Sequence, residues 1–268
     1  MDDKKHKVVI LCGHNLICLS TCSTIIESGV HVVGICVCDQ RTAGLPITYI
    51  WKSMRKKGAK RVLGQLLGRI YYNMLSGKKD KIISRNLYSK TKIDNIIDNW
   101  KGDIHYTKSY SDPGTLKWLE NLNADIFIVH TPYWLGKKVR ELPKKQIVIG
   151  GHPGLTPKYR GAHSAFWAIY NGYPEDVGCS IFWLDGGVDT GDLIKQERIR
   201  IEAGDSFVTL GWKGMIREAE MQSKVILEYE DGIDIPRRKH DSIPESSYYD
   251  EPTLCEYLKY RKKQILTR

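Results

Sequence analysis

The chain has 268 residues, 41% hydrophobic and 27% charged, with 41 Lys+Arg against 31 Asp+Glu for a formal net charge of +10. These values exclude disordered, collagenous and disulfide-scaffold classes, and they leave enough chain to bury a real core in one large domain or two modest ones. Thirteen of the basic residues lie between Lys52 and Lys92, where the only acid is Asp80, so the rest of the chain is close to neutral. One local patch of this kind points to an anionic partner.

Residues 1–7 (MDDKKHK) lack the apolar run and small-residue cleavage site of a secretory signal. No stretch reaches the ~20 uncharged apolar residues of a membrane-spanning helix. Five of the seven cysteines fall in the first 38 residues and none forms a CxxC pair, so they read as small buried apolar side chains in a reducing setting. A cytoplasmic location is expected.

Lys7–Cys12 (KVVILC) and His31–Cys38 (HVVGICVC) are strand-like runs around a helical segment, Leu16–Ser28, that ends at Gly29. This is a βαβ unit, and its continuous apolar strands suit a parallel sheet covered on both faces. The first turn (LCGHN) holds a single glycine, so the GxGxxG dinucleotide fingerprint is absent. From Ile50 to Leu75 apolar pairs recur every four residues (Val62, Leu63, Leu66, Leu67, Ile70, Tyr71, Met74, Leu75), which predicts an amphipathic helix. Two readings stand for Lys52–Leu75: a helix packed on the core with a solvated basic end, or a basic surface that meets anionic lipid in peripheral membrane contact or meets an anionic substrate.

Asp112 as N-cap and Pro113 at the first position predict a helix over 112–121. Ala124–Val129, Gln146–Ile149 and Gly178–Leu184 read as buried strands. A long helix, Phe207–Tyr229, follows Gly204-Asp205-Ser206. A proline-containing tail from Glu230 is expected to wrap the body and to close with a helix over Leu254–Leu266. The expected fold class is α/β, a Rossmann-like and mostly parallel sheet with helices on both faces. It is divided as residues 1–205, with a helical basic insert at about 41–100, and residues 206–268, a C-terminal helix and irregular tail packed on the core.

Two clusters carry chemistry. After the QIVI strand comes Gly150-Gly151-His152-Pro153-Gly154-Leu155-Thr156-Pro157-Lys158-Tyr159-Arg160-Gly161. A histidine at the carboxyl end of a parallel strand, in a loop stiffened by prolines and opened by glycines, sits where open α/β sheets hold ligands. The second cluster is Leu184-Asp185-Gly186-Gly187-Val188-Asp189-Thr190-Gly191-Asp192, also after a strand. Its aspartates fit a turn, or a carboxylate that orients His152 and raises its proton affinity. The closing Glu of an EF-hand run is missing, so no metal is expected.

Together HPGLTPKYRG (His152–Gly161), AIYNG (Ala168–Gly172) and DGGVDTGDLI (Asp185–Ile194) resemble the 10-formyltetrahydrofolate-dependent formyltransferases, which include the glycinamide ribonucleotide, methionyl-tRNA and nucleotide-sugar enzymes. The resemblance covers about residues 7–205. It implies attack of a primary amine on the formyl carbon of the folate through a tetrahedral oxyanion, assisted by an Asn, a His and an Asp. The His corresponds to His152 and the Asp to Asp189, while Gly150 stands at the Asn position. Loss of one such side-chain donor commonly costs ~10²–10³ in rate. A backbone N–H, a water, His130 or His163 would have to substitute, or catalysis is lost.

The resemblance further implies a folate pocket lined by Tyr133, Trp134 and Leu135 and by Asp185 and Gly187. Lys158, Arg160 and His163 project from the catalytic loop and are expected at an anionic substrate; a solvated loop charge is the plain alternative. About 60 residues follow the core, and they do not read as the C-terminal barrel of the tRNA-acting relatives. The expectation is therefore a small anionic acceptor, a nucleotide-linked amino sugar, with no nucleic acid. A catalytically impaired relative that binds folate or nucleotide is the alternative.

Overall fold

The β-branched runs of the sequence form a seven-stranded sheet in this computed structural model, which describes residues 5–40, 46–240, 242, 244 and 247–266. In chain order the elements begin β1 (Val8–Gly13), α1 (Leu16–Glu27), β2 (Val32–Cys38), α2 (Pro46–Lys57), α3 (Ala59–Leu75), α4 (Gly77–Leu87), α5 (Lys90–Asn99) and β3 (Asp103–Thr107). They continue as α6 (Pro113–Leu122), β4 (Ile126–His130), α7 (Lys137–Arg140), β5 (Ile147–His152), β6 (Arg160–Gly161), α8 (Ser164–Asn171) and β7 (Gly178–Trp183). The chain ends with β8 (Leu193–Arg198), α9 (Phe207–Glu230), β9 (Tyr248–Tyr249) and α10 (Leu254–Leu266).

The sheet order is β3-β2-β1-β4-β5-β7-β8; the first five strands are parallel, β7 runs antiparallel to β5, and β8 runs antiparallel to β7. The chain reverses direction across the sheet at β1/β4, and open α/β sheets hold ligands at the carboxyl ends of such strands. Alternate side chains of each strand feed two cores. Val8, Ile10, Ile126, Ile128 and Ile149 pack under α1 and α9, while Val9, Leu11, Phe127 and Val148 pack under α6 and α7. A third, aromatic core joins Tyr159, Phe166, Trp167 and Phe207 to Tyr257 and Tyr260 of α10, with Tyr71 and Tyr72 of α3 against it. Through it the insert and the tail lock onto one another.

Local chemistry sets the helix ends. Asn15 Oδ1 accepts from Cys18 N, Asp112 Oδ2 accepts from Gly114 N with Pro113 next in line, and Ser206 with Thr209 forms a capping box on α9. Such caps contribute about 1 kcal/mol each.

Three expectations change. The amphipathic segment Ile50–Leu75 is two helices, because Gly58 takes φ +85°, which breaks the run between α2 and α3. β5 continues past Ile149 through Gly150 and Gly151 to His152. The polar sequence LIKQER (Leu193–Arg198), which has no strand-like apolar run, is β8 at the sheet edge and pairs through its backbone with β7. α10 spans Leu254–Leu266 as the sequence predicts. Among the described residues no helix is long and apolar enough to cross a membrane.

Candidate functional site

A cleft of about 560 Å³ opens at the carboxyl ends of β1, β4 and β5 and is closed on one side by the 184–189 loop. That volume lies within the ~300–1,000 Å³ range of small-molecule sites. His152 ends β5, and its Nδ1 lies 3.3 Å from Asp189 Oδ2. Its Nε2 is held inside the protein by Tyr159 O at 3.0 Å and Ser164 Oγ at 2.8 Å. Asp189 lines the cleft and Tyr159 and Ser164 do not, so the Nδ1–Asp189 edge is the one turned toward a ligand.

Asp189 is held from two sides. Its backbone takes φ +53°, an uncommon value for a residue with a side chain, and its Oδ2 accepts a hydrogen bond from Gly161 N at 3.0 Å. Upstream, Asp185 Oδ1 accepts from Gly187 N at 2.9 Å and Thr190 Oγ1 donates to the Asp185 carboxylate, which ties the turn into one shape.

The two glycines of β5 are demanded by their surroundings. Gly150 pairs in register with Phe182 of β7, and a Cβ at position 150 would stand 2.9 Å from both Phe182 Cε2 and Leu184 Cδ1. The place an Asn side chain would occupy is therefore filled by the Phe182 ring. On the opposite face, a Cβ at Gly151 would stand 2.3 Å from Glu218 Oε2 of α9.

Glu218 was not singled out by its sequence motif, yet it lines the cleft at 1% exposure, and its Oε1 is buried with no hydrogen-bond partner. Burial, and then the charge of Asp189, pushes its carboxyl well above the usual range. Beside it, His130 Nε2 lies 2.6 Å from Gln222 Oε1, while Gln222 Nε2 points to Ile149 O. The amide thus presents oxygen to His130, which must donate from Nε2. Burial pushes His130 down to about 4, so it is neutral and turns a bare Nδ1 to Glu218 Oε2 at 3.9 Å. Burial thus disfavours charge on both groups at the floor of the cleft, the Glu218 carboxyl and the His130 imidazole. Cys18 also lines the cleft, but burial pushes its thiol up to about 12, which removes it as a nucleophile near neutral pH.

Tyr133, Trp134, Leu135, Asp185 and Gly187 all line the cleft with Gly150, His152 and Asp189. Trp134 is 60% exposed at its mouth, whereas Leu135 is buried in the adjoining core. The aromatic rim and the polar floor, with its unpartnered acid oxygen, fit a planar heterocyclic donor that carries amide-like groups.

Lys158, Arg160 and His163 do not converge on this cleft. Lys158 Nζ pairs with Asp176 at 2.5 Å on the outer surface and lies over the Tyr173 ring. Arg160 is buried and donates to Ser247 Oγ, Val188 O and Pro244 O, so its guanidinium ties the 184–189 loop to the tail. His163, at φ +55°, packs edge-on against Phe207 and lines a separate cavity of about 280 Å³ with Arg69 and Tyr72. Among the described residues lining the main cleft there is no lysine or arginine; its ionisable groups include Asp185, Asp189 and Glu218.

Known proteins resemble this chain in sequence and in fold. Residues 74–226, from the end of α3 to α9, match the formyl transferase family. The methionyl-tRNA formyltransferase of Finegoldia magna is 30% identical over 183 residues, which cover 66% of this chain and 58% of that protein. That of Caldanaerobacter subterraneus subsp. tengcongensis is 35% identical over 133 residues, 49% of this chain and 42% of that protein. The chain thus spans about half the length of the curated relatives it matches. Among solved structures, phosphoribosylglycinamide formyltransferase from Anaplasma phagocytophilum superposes with a TM-score of 0.57 at 13% identity, covering 89% of this chain and 97% of that one. A 4-N formyltransferase from Francisella tularensis gives 0.54 at 18% identity, covering 96% and 87%. At these identities the structural likeness carries the fold. The family match covers more than half of the chain and contains both His152 and Asp189: the chain belongs to the formyl transferase family.

Proposed function

We propose that this chain transfers the formyl group of 10-formyltetrahydrofolate to a primary amine, with His152 and Asp189 as catalytic residues. The observation that carries the reading is the His152 Nδ1–Asp189 Oδ2 contact at 3.3 Å at the base of a cleft at the strand ends. The donor supplies an activated formyl carbon. The chain supplies a place for the proton that the amine must lose. Asp189, oriented by the Gly161 N–H, attracts the amine and takes that proton on the edge it shares with His152, from which it would pass to the folate nitrogen as the bond between that nitrogen and the formyl carbon breaks and tetrahydrofolate leaves. A positioned acid–base group of this kind contributes about 10²–10⁴ in rate. Tyr133, Trp134, Leu135, Asp185 and Gly187 would hold the donor.

A nucleotide-linked amino sugar is the acceptor we favour. The described cleft lining offers no cation for phosphates and several acids, which suits an aminated sugar inside with its phosphates toward the rim. A sugar N-formyltransferase from Shewanella sp FDAARGOS_354 shares the fold across 96% of this chain, at 12% identity and a TM-score of 0.54. Free buried thiols at Cys12, Cys22 and Cys36 accord with a reducing, cytoplasmic setting.

A second reading rests on Gly150. With Phe182 over it, no side-chain amide can enter from that position, and a protein that binds the donor without turning it over has the same cleft. The test is to mix purified chain and 10-formyltetrahydrofolate with amino-sugar nucleotides, glycinamide ribonucleotide and methionyl-tRNA, and to follow tetrahydrofolate release. A binding isotherm for a donor analogue is measured in parallel. Turnover on an amino-sugar nucleotide is expected. Binding without turnover on the whole panel would move the assignment to the second reading, and neither binding nor turnover would defeat both.

A further inference from the structure

Helix α3 packs one face on the body, and among the described residues its opposite, apolar face is uncovered. On the inner face Val62, Gln65 and Gly68 are buried, Gln65 Nε2 donates to Glu251 O at 2.8 Å, and a Cβ at Gly68 would stand 3.0 Å from Leu254 N. That face lies tight against the backbone leading into α10. On the outer face Leu63, Leu67, Ile70 and Met74 are 59, 43, 57 and 78% exposed. At 3.6 residues per turn these four fall within an arc of about 60° opposite the buried face. A helix covered only by water would carry polar residues there. Trp51 of α2 and Ile82 of α4, on the helices that flank α3 in the chain, are each 62% exposed.

The charge around this stripe is arranged at its ends. Between Val62 and Gly77 the one charged residue is Arg69, and it pairs with Glu251 of the body at 2.5 Å. Before the stripe Lys52, Arg55, Lys56 and Lys60 are exposed; after it Lys78, Lys79, Lys81 and Arg85 are exposed. A second copy of the chain would bring two such cationic rims together, which opposes association. Single-stranded RNA is gripped by stacking on aromatic side chains, whereas this stripe is aliphatic and Tyr72 is turned inward against Tyr257. An aliphatic stripe between two cationic rims matches a surface of anionic headgroups over acyl chains.

We propose that the outer face of α3 docks this protein on an anionic phospholipid surface, with Leu63, Leu67, Ile70 and Met74 entering the headgroup–acyl boundary and the flanking Lys and Arg residues meeting lipid phosphates. This surface is separate from the strand-end cleft and stands whatever the acceptor amine is.

The test is flotation of the full chain with phosphatidylcholine vesicles, with and without phosphatidylglycerol, across a salt series. Binding to the anionic vesicles alone is expected, weakening as salt screens the rims. Leu67→Gln with Ile70→Gln should lower the partition at least about tenfold, and Lys78→Gln with Lys81→Gln about fivefold per charge. Both pairs are exposed, so thermal unfolding should be unchanged. Absence of binding to either vesicle, or equal binding to both, overturns the proposal. So does a concentration-dependent dimer that Leu67→Gln with Ile70→Gln dissolves, which assigns the stripe to a second copy. RNA binding that displaces vesicles and survives the same double variant assigns the rims to nucleic acid.

Discussion

In the strand-end cleft, charge is engaged; on the basic insert, it is displayed. His152 and Asp189 share an edge, the Gly161 N–H satisfies the carboxylate, and burial disfavours charge on Glu218 and His130. On α2–α4 Lys57 and Arg61 pair with Asp250 and Glu256 of the tail, while Lys52, Arg55, Lys56, Lys60, Lys78, Lys79, Lys81 and Arg85 are exposed. The first region is assembled from residues far apart in sequence and depends on distances of a few tenths of an ångström. The second is contiguous in sequence and depends on total charge and apolar area. The net charge of +10 therefore describes the insert and is silent about the chemistry.

This contrast predicts that single substitutions have large effects in the cleft. His152→Ala and Asp189→Asn should each lower formyl transfer by about 10²–10⁴ with little change in far-UV circular dichroism. Rates within a few fold of the unaltered chain would remove both from the catalytic role. Gly150→Asn comes next. A Cβ there would press on Phe182 and Leu184, so the variant should lose about 1–3 kcal/mol of stability by overpacking and gain no activity. Adding Phe182→Ala makes room. If formyl transfer then rises above the parent, the Asn slot is restored, and the parent is impaired by that ring.

These residues also divide what the sequence makes legible from what it does not. Strands β1, β2, β4, β5 and β7, helices α6 and α10 and the His152 and Asp185–Asp192 clusters are legible because each is local: an apolar run, an N-cap with proline, a glycine-rich turn. The Phe182 ring over Gly150 depends on the register of an antiparallel pair, which no local pattern encodes. Lys158, Arg160 and His163 lie close in sequence, and the short strand β6 followed by a left-handed residue at His163 sends them three ways. Glu218 did leave a signal. It falls on the buried stripe of α9 with Leu210, Gly214, Met221 and Val225, where a carboxylate has no packing reason to be.

The pH dependence of stability tests whether the cleft floor is uncharged. The Glu218 carboxyl is raised in the folded state, so the unfolded chain releases that proton first. Its contribution is full below the unfolded value near ~4.3 and is lost as pH rises above it. Glu218→Gln should remove that slope, and its Tm relative to the parent should climb from acid toward neutral pH. His130 works in the other direction. Its folded value of about 4 means that the unfolded chain binds the proton first, and stability is lost as pH falls from ~6.5 toward 4. A Glu218→Gln variant whose Tm difference from the parent is flat with pH would mean that the acid is ionised and the floor is charged.

The smallest effect is expected on the insert, and there smallness is the informative result. Leu63→Gln replaces an apolar side chain that is 59% exposed on the face of α3 turned away from the body. Glutamine is as good a helix former as leucine, and no packed neighbour is lost from the inner face. Unfolding free energy should stay within about 0.5 kcal/mol of the parent, and formyl transfer in solution should not change. A loss well above that would mean that Leu63 is covered by the protein itself, and the contrast between an inward-facing cleft and an outward-facing insert would fail at this helix. A null effect on stability, set against a loss of vesicle binding for the neighbouring pair Leu67 and Ile70, would separate the two regions as independent devices carried by one chain.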